Sequence, residues 1–297
     1  MIKRTIIFSN PTRISLRNGQ LICQNNDSNE VKQAPIEDLG FVVLEHQQIF
    51  ISLPLLNALI NNNVAVIFCD DQHMPSSMLL NLEGHTTQAE LFGHQLHASE
   101  PLKKSLWKQT VEAKIMNQAA LLSSLGLRES DLIALGRDVK SGDTTNREGA
   151  AARIYWKRLF GRDFERDRYG SSPNHMLNYG YIILRAAVAR ALCGSGLLPT
   201  IGIFHHNRYN SFCLADDIME PYRPFIDQKV FELFNTDFDA EKLTTRIKMK
   251  LLEILSADVV VQKMKRPLMV ALSLTTASLA RCFAGEVKKI SYPALPP

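Results

Sequence analysis

Residues 79–97 read LLNLEGHTTQAELFGHQLH, and around Gly84 the apolar pattern changes from period two to helical period. Upstream, TIIFS, RISLR, QLICQ, FVVLEH and VAVIFCD are short β-branched or alternating runs of strand type. Asn18-Gly19, between the second and third runs, predicts a tight hairpin because both residues tolerate positive φ. One helix interrupts these strands, with Ser52 as its cap, Leu53-Pro54 in its first turn, LLNALI as its body and Asn61-Asn62-Asn63 as its stop. Downstream, helical periodicity runs through TQAELFGHQLH, LKKSLWKQTVEAKIMNQAALLSSL, DLIALGRDV, a segment opening near Glu148, LNYGYIILRAAVARALC, EPYRPFIDQKVFELF, TTRIKMKLLEIL and TTASLARCFAGEV. The expected fold is α+β: a small N-terminal β-sheet domain over 1–84, then a larger all-α-helical domain over 85–297. No long linker, internal repeat or low-complexity tract separates or interrupts them, and SYPALPP reads as a frayed tail.

A chain of 297 residues, 45% hydrophobic and 22% charged, can bury an ordinary core. It holds no run of eighteen apolar residues, and MIKRTIIFSNP moves straight into a strand-like alternation, so a cytoplasmic protein is expected. Cys23, Cys69, Cys193, Cys213 and Cys282 are odd in number and never paired as C-x-x-C, which reads as buried, reduced thiols too far apart for a structural zinc site. The formal net charge of +4 is unevenly spread. Residues 1–84 carry 5 basic and 8 acidic side chains, whereas residues 101–190 carry 16 and 9. The basic excess is either a set of solvated helix faces or a phosphate-binding surface.

The candidate chemistry centres on GIFHHNRYNSFCLADDIMEPYR, residues 202–223, which places His205, Asp217 and Glu220 close together in sequence. A further acid, Glu148, lies in TTNREGAAARIYW. Each has a plain structural reading. Thr145 and Glu148 have the T-x-x-E spacing of a capping box, Asp217 and Glu220 the related D-x-x-E spacing, and His205 or His206 can be a loop residue. Taken together, carboxylates and one imidazole in a basic helical domain fit a divalent-metal site for phosphodiester chemistry, because oxygen-rich ligands suit Mg²⁺ or Mn²⁺. Around them, ARIYWKRLFGRDFERDRYG interleaves Arg153, Lys157, Arg158, Arg162, Arg166 and Arg168 with aromatic residues, as a DNA-gripping segment or as the charged flank of an amphipathic helix. Asn178 and Tyr179, in LNYGY, can face the same cleft or be buried and hydrogen-bonded.

In order and separation, NREGAAARIYW, NHMLNYGYIILRA and LLPTIGIFHHNRYNSFCLADDIMEPYRP resemble the CRISPR-associated integrase family that inserts new spacers into a CRISPR array. TIIFSNPTRISLRNGQLIC and PIEDLGFVVLEHQQIFIS resemble the branch that accompanies type II systems. The resemblance covers nearly the whole chain, through E-G-x-x-A, L-N-Y-G-Y, G-[FI]-[LF]-H and D-x-M-E-x-[YF]-R-P. It implies an N-terminal β domain and a C-terminal helical domain, a metal held by Glu148, His205 and Glu220, and Asp217 in support. Family members differ between Asp and Glu at the last ligand, so Glu220 leaves the choice of Mg²⁺ or Mn²⁺ open.

The implied reaction is transesterification, in which 3′-hydroxyl ends of short duplex DNA are joined into the CRISPR repeat; water in place of the hydroxyl gives endonuclease activity. The implied assembly is a homodimer through the β domain, with two such dimers flanking a dimer of a small ferredoxin-like subunit in a heterohexamer, and with the type II effector nuclease as a further partner. Two other functions fit the residues: a stand-alone metal-dependent structure-selective endonuclease, and a non-catalytic DNA-binding scaffold whose acids are helix caps.

Overall fold

The computed structural model describes residues 4–25, 31–81, 83–236 and 240–295. The chain divides into two compact units, residues 1–84 and 85–297.

The N-terminal unit comprises β1 (Arg4–Phe8), β2 (Thr12–Arg17), β3 (Gln20–Asn25), β4 (Val31–Pro35), β5 (Leu39–Leu44), β6 (Ile49–Ile51), α1 (Leu53–Asn61), β7 (Ala65–Cys69) and β8 (Pro75–Leu79). They form two four-stranded sheets, ordered β1-β5-β7-β8 and β4-β3-β2-β6. β5 pairs in parallel with β1 and β7, and its LGFVVL is buried at every position, as a central parallel strand covered on both faces must be. The core joins Phe8, Ile14, Leu21, Leu39, Val42, Leu55, Leu59 and Val66. Asn18 and Gly19 turn the β2–β3 hairpin at φ of 50° and 69°, as their spacing predicts. Ser52 occupies the cap position of α1, but its hydroxyl makes no capping bond. Strands β4 and β8 have no strand-type side-chain pattern, and each carries a proline at one end. Both are edge strands, where backbone pairing to one neighbour suffices and proline is tolerated.

The second unit is mostly helical: α2 (Gln88–Leu96), α3 (Glu100–Ser124), α4 (Ser130–Arg137), α5 (Arg147–Leu159), α6 (Asn174–Gly194), α7 (Cys213–Met219), α8 (Arg223–Thr236), α9 (Thr245–Leu252) and α10 (Leu268–Phe283). α3 is its central element, packing on α4, α5, α8 and the 3₁₀ turn Glu220–Tyr222 that joins α7 to α8. No described helix is long and apolar enough to cross a membrane.

Three features depart from expectation. α7 precedes the helix expected to begin at Glu220, so Asp217 and Glu220 sit at the end of one helix and in a 3₁₀ turn, not in a first-turn capping box. The helical unit also carries a hairpin, β9 (Asp258–Val261) and β10 (Met264–Pro267), turned by Gln262 and Lys263 at φ of 51° and 64°. No glycine or asparagine announces such a turn. Finally, the tail is pinned: Tyr292 Oη lies 2.8 Å from Thr110 Oγ1, and the N–H of Leu295 donates to Asn117 Oδ1 at 3.0 Å. Pro296 and Pro297 lie outside the described residues. All five cysteines are free thiols, but only Cys213 and Cys282 are buried; the other three are half-buried.

Candidate active site

The helix that carries Glu148 is capped by other residues. Asn146 adopts the left-handed conformation (φ 51°, ψ 49°) that asparagine tolerates, and its Oδ1 accepts from the N–H of Gly149 at 3.0 Å. Asp143 accepts from the N–H groups of Arg147 and Glu148 at 2.8 and 3.1 Å. The Thr145–Glu148 capping box is therefore overturned. Because Asn146 and Asp143 satisfy the first turn of α5, the Glu148 carboxylate is free to leave it, and it accepts from Lys114 Nζ at 2.6 Å.

Lys114 projects from α3 and is almost fully buried. The same ammonium lies 2.5 Å from Oε2 of Glu220, so two acids remote in sequence meet at one nitrogen. Arg223 Nη2 holds the other Glu220 oxygen at 2.9 Å. Burial would depress the Lys114 pKa, but the charges of Glu220 and Glu148 outweigh it and hold the ammonium above the ordinary lysine value. Burial likewise pushes the Glu220 carboxyl up, and Arg223 and Lys114 bring it below the usual carboxylate range. The sequence signal for Lys114 is its place in the inward-facing stripe of α3, with Trp107, Val111, Gln118 and Leu121.

His205 is placed by the loop that follows α6. Gln95, fully buried on α2, donates to the carbonyls of Leu198 and Ile201, each at 2.9 Å, and accepts from the N–H of Leu198 at 2.9 Å. The fully buried Asp217 then gathers the end of the loop. Its Oδ2 accepts from the N–H groups of Ile203 and Phe204 at 2.7 and 3.0 Å, and its Oδ1 from the N–H and the ring Nδ1 of His205 at 3.2 and 2.6 Å. This hydrogen bond raises the His205 pKa against the opposing effect of burial, with the charges of Asp217 and Glu220 adding to it. With Nδ1 committed to Asp217, Nε2 is the nitrogen left for a ligand or a proton. Phe204 stacks on Trp107 of α3 with ring centroids 4.2 Å apart, and the His205 ring meets Trp107 edge-on at 5.7 Å.

Other candidates have different employment. Asn178 accepts from Arg166 Nη2 at 2.6 Å and donates to the carbonyl of Arg168 at 2.7 Å, tying the 161–173 connection to α6. Tyr179 is a fully buried core residue with Lys248 Nζ 5.6 Å from its ring centroid. Arg158 bonds the Arg128 carbonyl at 2.8 Å and the Asp131 carboxylate. Arg166 is spent on Asn174, Asn178 and the carbonyl of Asp167. Arg153, Lys157 and Arg162 are exposed; on α5 the first two lie about half a turn from Glu148, on the opposite face. Further residues do more than their sequence announces. Asp216 makes a bidentate pair with Arg185 at 2.6 and 2.8 Å and accepts from Asn210 at 2.6 Å. Asp227 is buried between the hydroxyls of Tyr155 and Tyr181, which donate at 2.7 and 2.5 Å and link α5, α6 and α8.

Among the described residues no three His, Cys, Asp or Glu side chains converge as a metal cluster; the glutamates converge on Lys114 instead. The donors nevertheless suit Mg²⁺ or Mn²⁺. The buried Glu220 Oε2 is ion-paired but accepts no aligned hydrogen bond, Glu148 supplies a second carboxylate from a rigid first turn, and His205 offers one imidazole nitrogen.

A family model described as CRISPR associated protein Cas1 matches residues 5–254. The CRISPR-associated endonuclease Cas1 of Neisseria meningitidis serogroup C (strain 8013) is 35% identical over 300 residues, spanning 100% of this chain and 98% of that protein. The CRISPR-associated endonuclease Cas1 1 of Francisella tularensis subsp. novicida (strain U112) is 27% identical, over 87% of each chain. Among solved structures, a casposase bound to integration product superposes with a TM-score of 0.81 at 20% identity, covering 97% of this chain and 92% of that one. A CAS1 protein from Thermotoga maritima superposes with a TM-score of 0.74 at 14% identity, covering 95% and 98%. A chain of a Cas6-RT-Cas1–Cas2 complex gives 0.72 at 19% identity, covering 97% of this chain and 36% of that one. At these identities the superpositions speak for the fold, whereas the family match and the full-length relative speak for descent: the chain belongs to the Cas1 family of CRISPR-associated proteins.

Proposed function

We propose that this chain is a divalent-metal-dependent DNA endonuclease and integrase of CRISPR adaptation, with Glu148, His205 and Glu220 as its catalytic residues. The observation that carries the reading is the meeting of Glu148 and Glu220 at one cation, in the unit where Asp217 orients the His205 imidazole. Two relatives named endonucleases and a casposase bound to integration product support the chemistry.

In strand transfer the 3′-hydroxyl oxygen of the incoming DNA bonds to the target phosphorus as the bond to the target's own 3′-oxygen breaks. One phosphodiester replaces another, so no external energy source is needed. Mg²⁺ or Mn²⁺ held by Glu148, Glu220 and Nε2 of His205 would acidify the attacking hydroxyl and neutralise charge on the phosphate. Asp217 fixes the tautomer that presents Nε2 as an acceptor. Arg223 keeps Glu220 ionised within a buried setting, where each charge counts for more than it would in water. Water in place of the hydroxyl gives hydrolysis at the same centre.

For assembly, we take the β unit as the dimerisation element and a small Cas2-type subunit as the partner; the structural likeness to a chain of a Cas6-RT-Cas1–Cas2 complex supports the partnership. The scaffold alternative loses its main support, since Asn146 and Asp143 do the capping that Glu148 was to provide.

The test is joining of a labelled duplex into a repeat-containing plasmid, with the partner subunit present, in Mg²⁺, Mn²⁺ or EDTA. Joined product that needs metal and a 3′-hydroxyl, and that Glu148→Ala abolishes while DNA binding survives, is the expected result. Cutting without any dependence on the 3′-hydroxyl would favour a stand-alone endonuclease. Binding without joining or cutting would leave a scaffold.

A further inference from the structure

The carboxylate pair already holds a cation of its own. Lys114 Nζ stands 2.6 Å from Glu148 Oε1 and 2.5 Å from Glu220 Oε2, on a stem rooted in the 25-residue helix α3. Its side chain is 9% exposed, so water does little to screen these contacts. Glu220 Oε1 is taken by Arg223, which leaves Oε2 as the Glu220 oxygen facing Lys114. A divalent ion held by Glu148 and Glu220 together would need the place between them that Nζ holds. Two cations cannot share it, by size and by mutual repulsion. Without any cation between them, two carboxylates in this setting would repel, and one would take up a proton.

We propose that Lys114 is an exchangeable counter-cation: its ammonium keeps Glu148 and Glu220 paired before metal arrives, and a divalent ion seats only by displacing it. This rests on the metal site proposed above. It assigns Lys114 a positioning role in two states, holding the acids together in the first and freed in the second as a point charge suited to a phosphate oxygen. It also sets a threshold, because the ion must outbid a bound ammonium, so the centre would remain unloaded at metal concentrations that suffice for an open carboxylate pair.

The experiment is a titration of the full-length chain with Mn²⁺, with free Mn²⁺ read by electron paramagnetic resonance, for wild type, Lys114→Met and Lys114→Arg, each checked by thermal melting. Methionine removes the competing charge, so K114M should bind Mn²⁺ about tenfold more tightly than wild type. K114R retains a cation and should stay close to wild type. Unchanged or weaker binding by K114M, or equal tightening in K114R, overturns the role of Lys114 and leaves the metal site standing. No stoichiometric binding by any of the three overturns both.

Removing a buried cation can prevent K114M from folding, so a second measurement uses the wild type alone. Acylation of Lys114 by an amine-reactive reagent, quantified by peptide mass spectrometry, should rise several-fold on saturation with Mn²⁺. A yield that Mn²⁺ leaves unmoved overturns the displacement.

Discussion

Asp217 Oδ1 accepts from both the ring Nδ1 and the backbone N–H of His205, at 2.6 and 3.2 Å. One carboxylate thus sets the tautomer of the imidazole and the position of the chain that carries it. An amide at this position could accept at its oxygen but would turn an N–H₂ donor toward other backbone donors. Asp217→Asn is therefore expected to fold yet lose roughly 10- to 100-fold in Mn²⁺ affinity or joining rate, the usual cost of losing an orienting partner. Metal titration and the joining assay measure it, and wild-type values in both would remove the orienting role.

Gly202 is where the loop passes closest to this carboxylate. A Cβ there would stand 2.4 Å from the His205 carbonyl oxygen and 2.8 Å from Asp217 Oδ2, so even alanine must push the loop off its anchor. Gly202→Ala should destabilise the chain by about 1–3 kcal/mol and lower joining per folded molecule, because the displaced group is His205 itself. Denaturant melts paired with activity decide it; a variant matching wild type in both would mean that the loop yields at no cost.

On α5 the capping side chains, Asn146 and Asp143, are distinct from the proposed catalytic Glu148. Asn146→Ala removes the bond to the N–H of Gly149 and should cost about 1–2 kcal/mol while sparing the rate per folded molecule. Glu148→Ala leaves both caps intact and should abolish joining per folded molecule; whatever stability it loses reports the lost partner of the buried Lys114, not a cap. Comparing melting midpoints with rates for the two variants tests this, and a reversed pattern would return Glu148 to a structural role.

Asp227 supplies a pH signature. Burial pushes its carboxyl up to about 6 from the ordinary 3.8, against the hydrogen bonds from Tyr181 and Tyr155. Its folded pKa lies above its unfolded one, so the native state binds this proton more tightly. The stabilisation it brings is complete below the unfolded pKa and is lost as pH rises through about 6. Asp227→Asn cannot titrate, so the stability of wild type relative to this variant should fall between about pH 4 and pH 7. Chemical denaturation across that range measures the difference; a constant one would mean that Asp227 does not titrate there.

Local pattern carried much of this protein. The alternating runs before Gly84 became strands, the 3.6-residue runs after it became helices, and Asn18-Gly19 became the expected turn, because each depends on the preferences of neighbouring residues alone. What escaped was written elsewhere: β4 and β8 in the free edges of β3 and β7, the β9–β10 turn in a backbone held at positive φ without glycine, and the pinned tail in its bonds to α3 and β9.

The site divides along the same line. Glu148, His205 and Glu220 could be nominated from the sequence only as a set and through the resemblance of their motifs, because one at a time a helix cap or a loop histidine accounts for each. That Glu148 and Glu220 meet, that Lys114 lies between them, and that Asp217 orients His205 while Arg158 and Arg166 serve the scaffold are decisions of the tertiary structure alone. The reason is physical. Periodicity reports which face of a helix turns inward, whereas the partner met there depends on how α3, α5 and α8 pack, and no spacing within one segment encodes that packing.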